Sequence, residues 1–221
     1  MKLLFKTLIR YLLSVAFVGG MLFLPAGTLN FRNGWIFLAA LFIPMMFVVV
    51  WLYMKDPALL EKRMKTSERE KPQKLYVVLS IVVFTATFIL PGFDYRYHWS
   101  EVPEWLVIIS ALGMFCGYLM FFAVMRQNSY ASRVIEIQEE QRLIDTGLYG
   151  VVRHPMYTAA TVMFVFAPLV LGSWFAMIPA AFIPVLLVIR ILNEEKVLLE
   201  GLKGYGDYKN KVKFRLIPYI W

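Results

Sequence analysis

Six apolar segments divide this chain of 221 residues, and their lengths constrain the fold more than any other feature. A helix that crosses the hydrocarbon core of a bilayer needs about 20 residues, within a range of about 17–25. Charged residues make up only 17% of the chain, whereas soluble domains are about a quarter charged. The sequence therefore predicts an all-α, polytopic membrane helix bundle of about six spans. The predicted segments are Phe5–Leu24, Trp35–Met54, Leu75–Leu90, Trp105–Met125, Met156–Leu171 and Trp174–Leu192.

The last two segments are separated only by Gly172 and Ser173, which predicts a tight C-terminal helical hairpin. A bundle of this size forms one unit, so we expect a single membrane domain over residues 1–221. Within it, residues 1–125 are predicted to be scaffold helices. Residues 126–221 are predicted to hold the functional half, because they contain most of the polar motifs.

The positive charge of the chain falls almost entirely on one side of the predicted bundle. Of the 23 lysine and arginine residues, only Arg32 and Arg96 fall in loops on the other side when the six segments alternate in direction. Cytoplasmic loops of membrane proteins are rich in lysine and arginine, so both termini are predicted to be cytoplasmic. The net charge of +8 is then explained by membrane topology, and we expect membrane lipids, rather than nucleic acid, as partners.

Two further loops and the cysteine and histidine content complete this outline. The segment Phe93–Trp99 is rich in aromatic residues and is predicted to be a loop on the outer side, with His98 at the membrane interface. The charged segment Lys55–Lys74 is predicted to be a solvated loop or an amphipathic surface helix. Cys116 is the only cysteine, and no Cys/His spacing suggests a metal site, so no metal is predicted.

The longest predicted cytoplasmic connection ends at Pro155, where polar residues are concentrated. Residues Ser132–Gln138 partly alternate in polarity, which indicates a short extended piece, and Asp145–Gly147 is typical of a turn. Proline suits the first turn of a helix because its missing N–H would be unpaired there anyway. Arg153 and His154 are therefore predicted at a helix N-terminus, where exposed N–H groups favour an anionic ligand group.

A second polar cluster lies at the end of the sixth segment. Arg190 and Glu194 are four residues apart and so share one helical face, and Glu195 follows directly. The hairpin returns this end to the membrane side of His154, which predicts one cytoplasmic pocket with an imidazole, guanidinium groups and carboxylates. Charge beside lipid costs free energy, so such a cluster is a hypothesis for a functional site.

Several motifs in this half resemble the isoprenylcysteine carboxyl methyltransferase family and its prokaryotic relatives. The resemblance covers about Ser132 to Trp221. It implies an integral, multi-pass enzyme of a prokaryotic cell membrane that uses S-adenosylmethionine in a cytoplasmic pocket. The motifs are Gly147-x-Tyr149-x3-Arg153-His154-Pro155-x-Tyr157, Arg190-x3-Glu194-Glu195, Tyr205-x2-Tyr208 and Arg215-Leu216-Ile217-Pro218.

The resemblance also implies roles for individual residues. It directs Arg190 towards the substrate, and a carboxylate acceptor needs only orientation by a cation such as Arg190 or Arg153. A sulfonium methyl group is already electrophilic, so the protein must mainly align it with the acceptor. An amine acceptor would need a base, for which Glu195 is the candidate. The implied cofactor contacts are Gln138, Gln141, Leu143, Ile144, Tyr149, His154, Pro155, Tyr157 and Glu194.

The predicted function is methyl transfer to a lipophilic or lipidated substrate, with carboxyl methylation of a prenylcysteine-like acid as the leading reaction. Three alternatives remain open at this point. The first is a phospholipid N-methyltransferase, which would methylate a headgroup amine. The second is a sterol-type membrane reductase that uses NADPH, because those enzymes have a similar C-terminal pattern. The third is a membrane protein that keeps the fold without activity.

Overall fold

The computed structural model describes residues 2–64, 72–132, 135, 137, 138 and 140–221. All of the regular secondary structure in these residues is helical. No β-strand occurs in these ranges, so the predicted all-α fold is confirmed. A 3₁₀ turn, Gly147–Gly150, precedes the sixth helix. The helices are α1 (Lys2–Ala26), α2 (Arg32–Lys55), α3 (Pro57–Arg63), α4 (Pro72–Tyr97), α5 (Glu104–Gln127), α6 (Pro155–Val170), α7 (Met177–Ala180), α8 (Phe182–Gly201) and α9 (Tyr205–Lys211).

Five stretches of the described chain are long and apolar enough to cross a bilayer, which confirms a polytopic bundle. The fifth predicted segment, Met156–Leu171, forms α6, a shorter apolar helix of 16 residues. At a rise of 1.5 Å per residue, α6 is about 24 Å long, less than the hydrocarbon core of about 30 Å. The five long stretches are Leu3–Ala26, Arg32–Lys55, Val77–Tyr97, Glu104–Gln127 and Met177–Gly201.

Helix α6 packs mainly along α5, and glycines of α5 permit the close approach. A Cβ atom at Gly113 would lie 2.5 Å from the ring of Phe166, and one at Gly117 would lie 2.6 Å from Cγ of Met163. Gly172, with φ of +78°, makes the turn that follows α6, at the position predicted from the sequence. The chain then leads through α7 into α8, so the start of α6 and the end of α8 lie at the same end of the bundle.

The C-terminal end of α4 differs from the prediction. The segment Phe93–Trp99 was expected to be a loop, but α4 continues to Tyr97. The reason is Asp94, which is only 1% exposed and accepts hydrogen bonds from the backbone N–H and the hydroxyl of Ser100 at 2.7 and 2.6 Å. It also accepts one from the hydroxyl of Ser173. These bonds satisfy a buried carboxylate within the helix and tie α4 to the turn after α6.

The opposite end of the bundle brings together the segments that were predicted to share the cytoplasmic side. Arg10 of α1 donates to the carbonyl of Met64 at 2.6 Å, and Arg63 of α3 donates to the carbonyl of Ala131 at 2.9 Å. Part of the predicted surface segment is therefore helical, as α3, whereas residues 65–71 lie outside the described residues. We call this end the polar end. Its cytoplasmic orientation stays a prediction.

Candidate functional site

A cleft opens at the polar end, between α6, α8, α9 and the connection that precedes α6. Its volume is about 880 Å³ including the open mouth. Gln138 and Glu195 are predicted site residues that do not line it. The predicted site residues that do line it are Gln141, Leu143, Ile144, Tyr149, Arg153, His154, Pro155, Tyr157, Arg190 and Glu194.

The turn before the cleft forms where the sequence predicted it. Gly147 has φ of +58°, and a Cβ atom there would lie 2.6 Å from Nε2 of Gln127. Glycine is the residue that tolerates this conformation without steric cost. The same Gln127 side chain accepts a hydrogen bond from the N–H of Leu148 at 3.2 Å, so it anchors the turn. The turn thereby directs the next residue, Tyr149, into the cleft.

Tyr149 is held at both its hydroxyl and its backbone. The side-chain amide of Asn128 donates to the hydroxyl oxygen at 2.8 Å, and the hydroxyl of Tyr208 donates to the Tyr149 carbonyl at 2.7 Å. Burial raises the pKa of Tyr149 to about 12, so its phenol stays protonated at neutral pH. The ring is therefore a fixed, neutral wall of the cleft.

The start of α6 also matches the prediction. His154 is the residue before the helix, and Pro155 occupies the first turn. The backbone N–H groups of Tyr157 and Thr158 donate to the carbonyl of His154 at 3.0 and 3.1 Å, so these two donors are already used. The anionic site that the sequence predicted at this helix end therefore has fewer available donors than expected.

Glu195 is the centre of a buried ionic network behind the cleft. Its side chain accepts a hydrogen bond from Nε of Arg153 at 2.8 Å on one oxygen and from Nε of Arg215 at 3.0 Å on the other. Nε2 of His154 lies 3.4 Å from the first oxygen. Glu195 and Arg153 are only 3% and 5% exposed. Both carboxylate oxygens are thus engaged, which favours a structural role over that of a base.

The C-terminal tail is docked onto the residue before His154. The N–H of Arg153 donates to the carbonyl of Phe214 at 2.9 Å. Its guanidinium group donates to the carbonyls of Val212 and Lys213 at 2.7 and 2.9 Å. Arg153 therefore links the beginning of α6 to the tail through backbone groups, in addition to its contact with Glu195.

A second carboxylate, Glu194, belongs to the cleft itself. The hydroxyl of Tyr157 donates to its Oε2 at 2.6 Å, and Nε of Arg190 donates to the Tyr157 hydroxyl at 3.0 Å. All three residues line the cleft and are partly exposed. This arrangement places a guanidinium, a phenol and a carboxylate side by side where a ligand can reach them.

The connection before the cleft is organised by Gln138. Its N–H donates to Oε1 of Gln141 at 3.0 Å, and its side-chain amide donates to the carbonyl of Tyr130 at 2.8 Å. Gln138 therefore holds the loop whose later residues reach the cleft. Residues 133, 134 and 136 of the predicted extended piece lie outside the described residues.

Tyr205 is a cleft residue to which sequence reasoning gave no role of its own. It is 3% exposed, and its hydroxyl has no hydrogen-bond partner among the described residues. Buried tyrosine hydroxyls are normally paired, so the unpaired hydroxyl of this cleft-lining residue is a candidate ligand contact. The signal in the sequence was the Tyr205-x2-Tyr208 motif, which did not distinguish the two rings. In the structure, Tyr208 is paired with Tyr149 and Tyr205 is not.

Comparison with known protein families gives a match over part of the chain. Residues 105–206 match the phospholipid methyltransferase family, which belongs with the isoprenylcysteine carboxyl methyltransferase-like membrane methyltransferases. No curated protein matches the chain. The matched region includes α5, α6 and α8, and with them Tyr157, Arg190 and Glu194. The match over residues 105–206 therefore bears out the resemblance that the sequence motifs indicated.

Proposed function

Because residues 105–206 belong to a family of membrane methyltransferases, we propose that the protein binds S-adenosylmethionine in the cleft and methylates a lipophilic substrate. The five long apolar helices and the family support an integral membrane protein. The observation that carries the proposal is the group formed by Tyr157, Arg190 and Glu194 inside the matched region. It provides the polar contacts that a charged cofactor and an anionic acceptor need.

The residues of the cleft suit this cofactor. Glu194 offers a carboxylate that can accept hydrogen bonds from the ribose hydroxyls or the amino group of the cofactor. The unpaired hydroxyl of Tyr205 needs a polar partner, which a bound ligand would supply. Tyr149 and Tyr157 present aromatic rings with polar tips that match an adenosine.

The proposed chemistry requires little from the protein beyond alignment. When bound, S-adenosylmethionine supplies an electrophilic methyl group on a sulfonium sulfur. Arg190 would orient an acceptor carboxylate, and the hydroxyl of Tyr157 fixes Nε of that arginine at 3.0 Å. A carboxylate is already a nucleophile, so no base is needed. The engagement of both oxygens of Glu195 supports this reaction over one that depends on Glu195 as a base.

Carboxyl methylation of a prenylcysteine-like acid is therefore the leading reaction. Phospholipid N-methylation is the second candidate, because the matched family is named for that activity. In that case Glu194, whose side chain lines the cleft, would be the base that accepts the proton from the amine. The family match favours either methyl transfer over hydride transfer from NADPH.

Methyl transfer from labelled S-adenosylmethionine to a membrane lipid extract tests the proposal and separates the two reactions. We expect label in the lipid phase that is released by mild base, as a methyl ester is. Label that resists base and remains on a headgroup amine would favour phospholipid N-methylation. Absence of transfer to any lipophilic acceptor would contradict the proposal.

Replacing Arg190 with glutamine should reduce turnover by about a hundredfold, because the acceptor loses the cation that orients it. The measurement is the initial rate of methyl transfer at saturating cofactor. Arg126→Gln is the control, since Arg126 is an exposed arginine of the same end that does not line the cleft. Unchanged turnover and substrate affinity in Arg190→Gln would show that its proposed role is wrong.

A further inference from the structure

Residues 217–221 of the tail form a turn with an apolar surface, which we call the apolar turn. The N–H of Trp221 donates to the carbonyl of Ile217 at 3.1 Å, and the N–H of Ile217 donates to the backbone oxygen of Trp221 at 3.0 Å, which closes the turn. Tyr219 is 90% exposed, Ile220 is 76% exposed and Ile217 is 42% exposed. Large apolar side chains that are exposed together mark an interaction surface.

The apolar turn lies beside the first turn of α6. The carbonyl of Leu216, the residue before the apolar turn, accepts a hydrogen bond from the hydroxyl of Thr158 at 2.7 Å. Thr158 is about 4.5 Å along the helix from Pro155, at a rise of 1.5 Å per residue. Thr158 and Val165 are seven residues apart and so share one face of α6. Because Val165 is 40% exposed, neighbouring helices leave this face partly uncovered.

Backbone contacts fix the tail in this position. The N–H of His154 donates to the carbonyl of Arg215 at 2.9 Å, next to the bond from the N–H of Arg153 to Phe214. Together with the contact of Leu216, these bonds align the tail with the start of α6, so that it runs from the polar end towards the membrane as the helix does. The exposed side chains of the apolar turn are therefore at the level where α6 enters the bilayer.

Helix α6 is too short to span the hydrocarbon core alone. Its 16 residues reach about 24 Å, against a core of about 30 Å. A span that is too short must thin the bilayer or expose polar groups to lipid, and either costs free energy. The apolar turn adds Ile217, Tyr219 and Ile220 beside the start of α6, where the apolar surface of the helix ends. A bilayer is therefore a partner that this surface fits.

The charges of the tail follow the order that is typical of segments lying on a membrane. Within residues 209–215 every charged residue is a lysine or an arginine, and residues 216–221 carry no charged side chain. In such segments the cations lie among the lipid headgroups while the apolar side chains reach the acyl boundary. The guanidinium carbon of Arg215 lies 5.0 Å from the centre of the Trp221 ring, so a cation meets an aromatic ring where the two parts join.

We propose that the apolar turn inserts into the interfacial layer of the leaflet at the polar end, and that lipid thereby holds the tail against the start of α6. The inference goes beyond the proposed function, because the apolar turn lies outside residues 105–206 and does not line the cleft. It has a consequence for the cleft, however. Arg153 and His154 line the cleft, and their N–H groups are held by the tail, so lipid contact stabilises this wall from outside.

Collision rates of a spin label at position 220 test the insertion. Cys116 is the only cysteine, so Cys116→Ala with Ile220→Cys gives one labelling site in the full-length protein. In phosphatidylcholine nanodiscs, oxygen concentrates in the lipid and a nickel chelate stays in water. We expect the label to collide several-fold more often with oxygen, as a label at Val165→Cys on α6 should. A label at Asp207→Cys, an exposed position of α9, should instead collide more often with the chelate.

Two results of this measurement would overturn the proposal. A label at position 220 that collides mainly with the chelate would place the apolar turn in water. Low collision rates with both reagents would show that protein covers the turn, for example a second copy of the chain. Neither result affects S-adenosylmethionine binding, so this inference and the proposed function fail separately.

A charge placed in the apolar turn tests whether lipid holds the tail. Ile220→Asp should release the turn, because a carboxylate in contact with lipid costs free energy. Hydrogen exchange at the N–H groups of Arg153 and His154 should then become at least about tenfold faster, while exchange in α5 stays unchanged. Asn210→Asp is the matched control, since it adds the same charge at an exposed position of α9. Mass spectrometry of the protein in phosphatidylcholine nanodiscs measures the exchange.

Equal exchange in Ile220→Asp and Asn210→Asp would show that the hydrogen bonds of the tail hold it without lipid, which would contradict the proposal. Faster exchange throughout α5 as well would contradict a local role of the apolar turn. The spin-label measurement does not depend on either variant, so the insertion itself is tested even if Ile220→Asp does not fold.

Discussion

Replacing Glu195 with glutamine should lower the free energy of unfolding by about 3 kcal/mol, because breaking a buried ion pair leaves its partner charge uncompensated. The largest cost falls on Arg153, because its charge is only 5% exposed and would lose its counter-charge. The bond from Arg215 to the second oxygen is lost or weakened as well. The measurement is the midpoint of denaturant unfolding in detergent, followed by helix content.

The docking of the C-terminal tail gives a second readout of the same substitution. Arg153 holds the carbonyls of Val212, Lys213 and Phe214, so a displaced Arg153 should expose the tail to protease. Glu200→Gln is the control, because Glu200 is an exposed acid of the same helix, and surface substitutions change stability by less than about 0.5 kcal/mol. Equal stability and equal protease resistance in the two variants would refute the network as the anchor of the tail.

Replacing Glu194 with glutamine should have the opposite consequence, with weaker cofactor binding and little loss of stability. Glu194 is partly exposed in the cleft, and it accepts a hydrogen bond from the hydroxyl of Tyr157. Hydrogen bonds to a charged group contribute about 1.5–3 kcal/mol, so the dissociation constant for S-adenosylmethionine should rise by about 10-fold to 100-fold. Isothermal titration of the purified protein measures this change.

Two tyrosine variants provide the matched comparison for Glu194. Tyr205→Phe removes the unpaired hydroxyl and should weaken cofactor binding by several-fold without affecting any bond among the described residues. Tyr208→Phe instead removes the bond to the Tyr149 carbonyl, so it should lower stability by about 1 kcal/mol. If Glu194→Gln unfolds the protein as Glu195→Gln does, or binds S-adenosylmethionine normally, the separation of roles is wrong.

Short sequence patterns predicted the parts of the site whose conformation depends only on neighbouring residues. Pro155 begins α6 because proline is compatible with a first helical turn, and Gly147 makes the turn before Tyr149 because its φ is positive. The apolar segments predicted the helices by length and composition. Each of these inferences needed only neighbouring residues, so the sequence was sufficient for them.

The remaining features depend on residues that are far apart in the chain. Adjacent residues on a helix point in different directions, and only the packing around α8 determines that Glu195 turns inward while Glu194 faces the cleft. The return of Phe214 and Arg215 onto Arg153 is equally non-local. At its C-terminal end, α4 extends into the segment predicted to be a loop because Ser100 and the turn after α6 satisfy Asp94. No local pattern encodes these partnerships.

Equilibrium binding of S-adenosylmethionine and of NADPH to the detergent-purified protein is the most direct test of the central claim. We predict that S-adenosylmethionine binds, that NADPH does not compete, and that Glu194→Gln weakens the binding while Glu200→Gln leaves it intact. Binding of NADPH without S-adenosylmethionine would contradict the methyltransferase account and support a reductase.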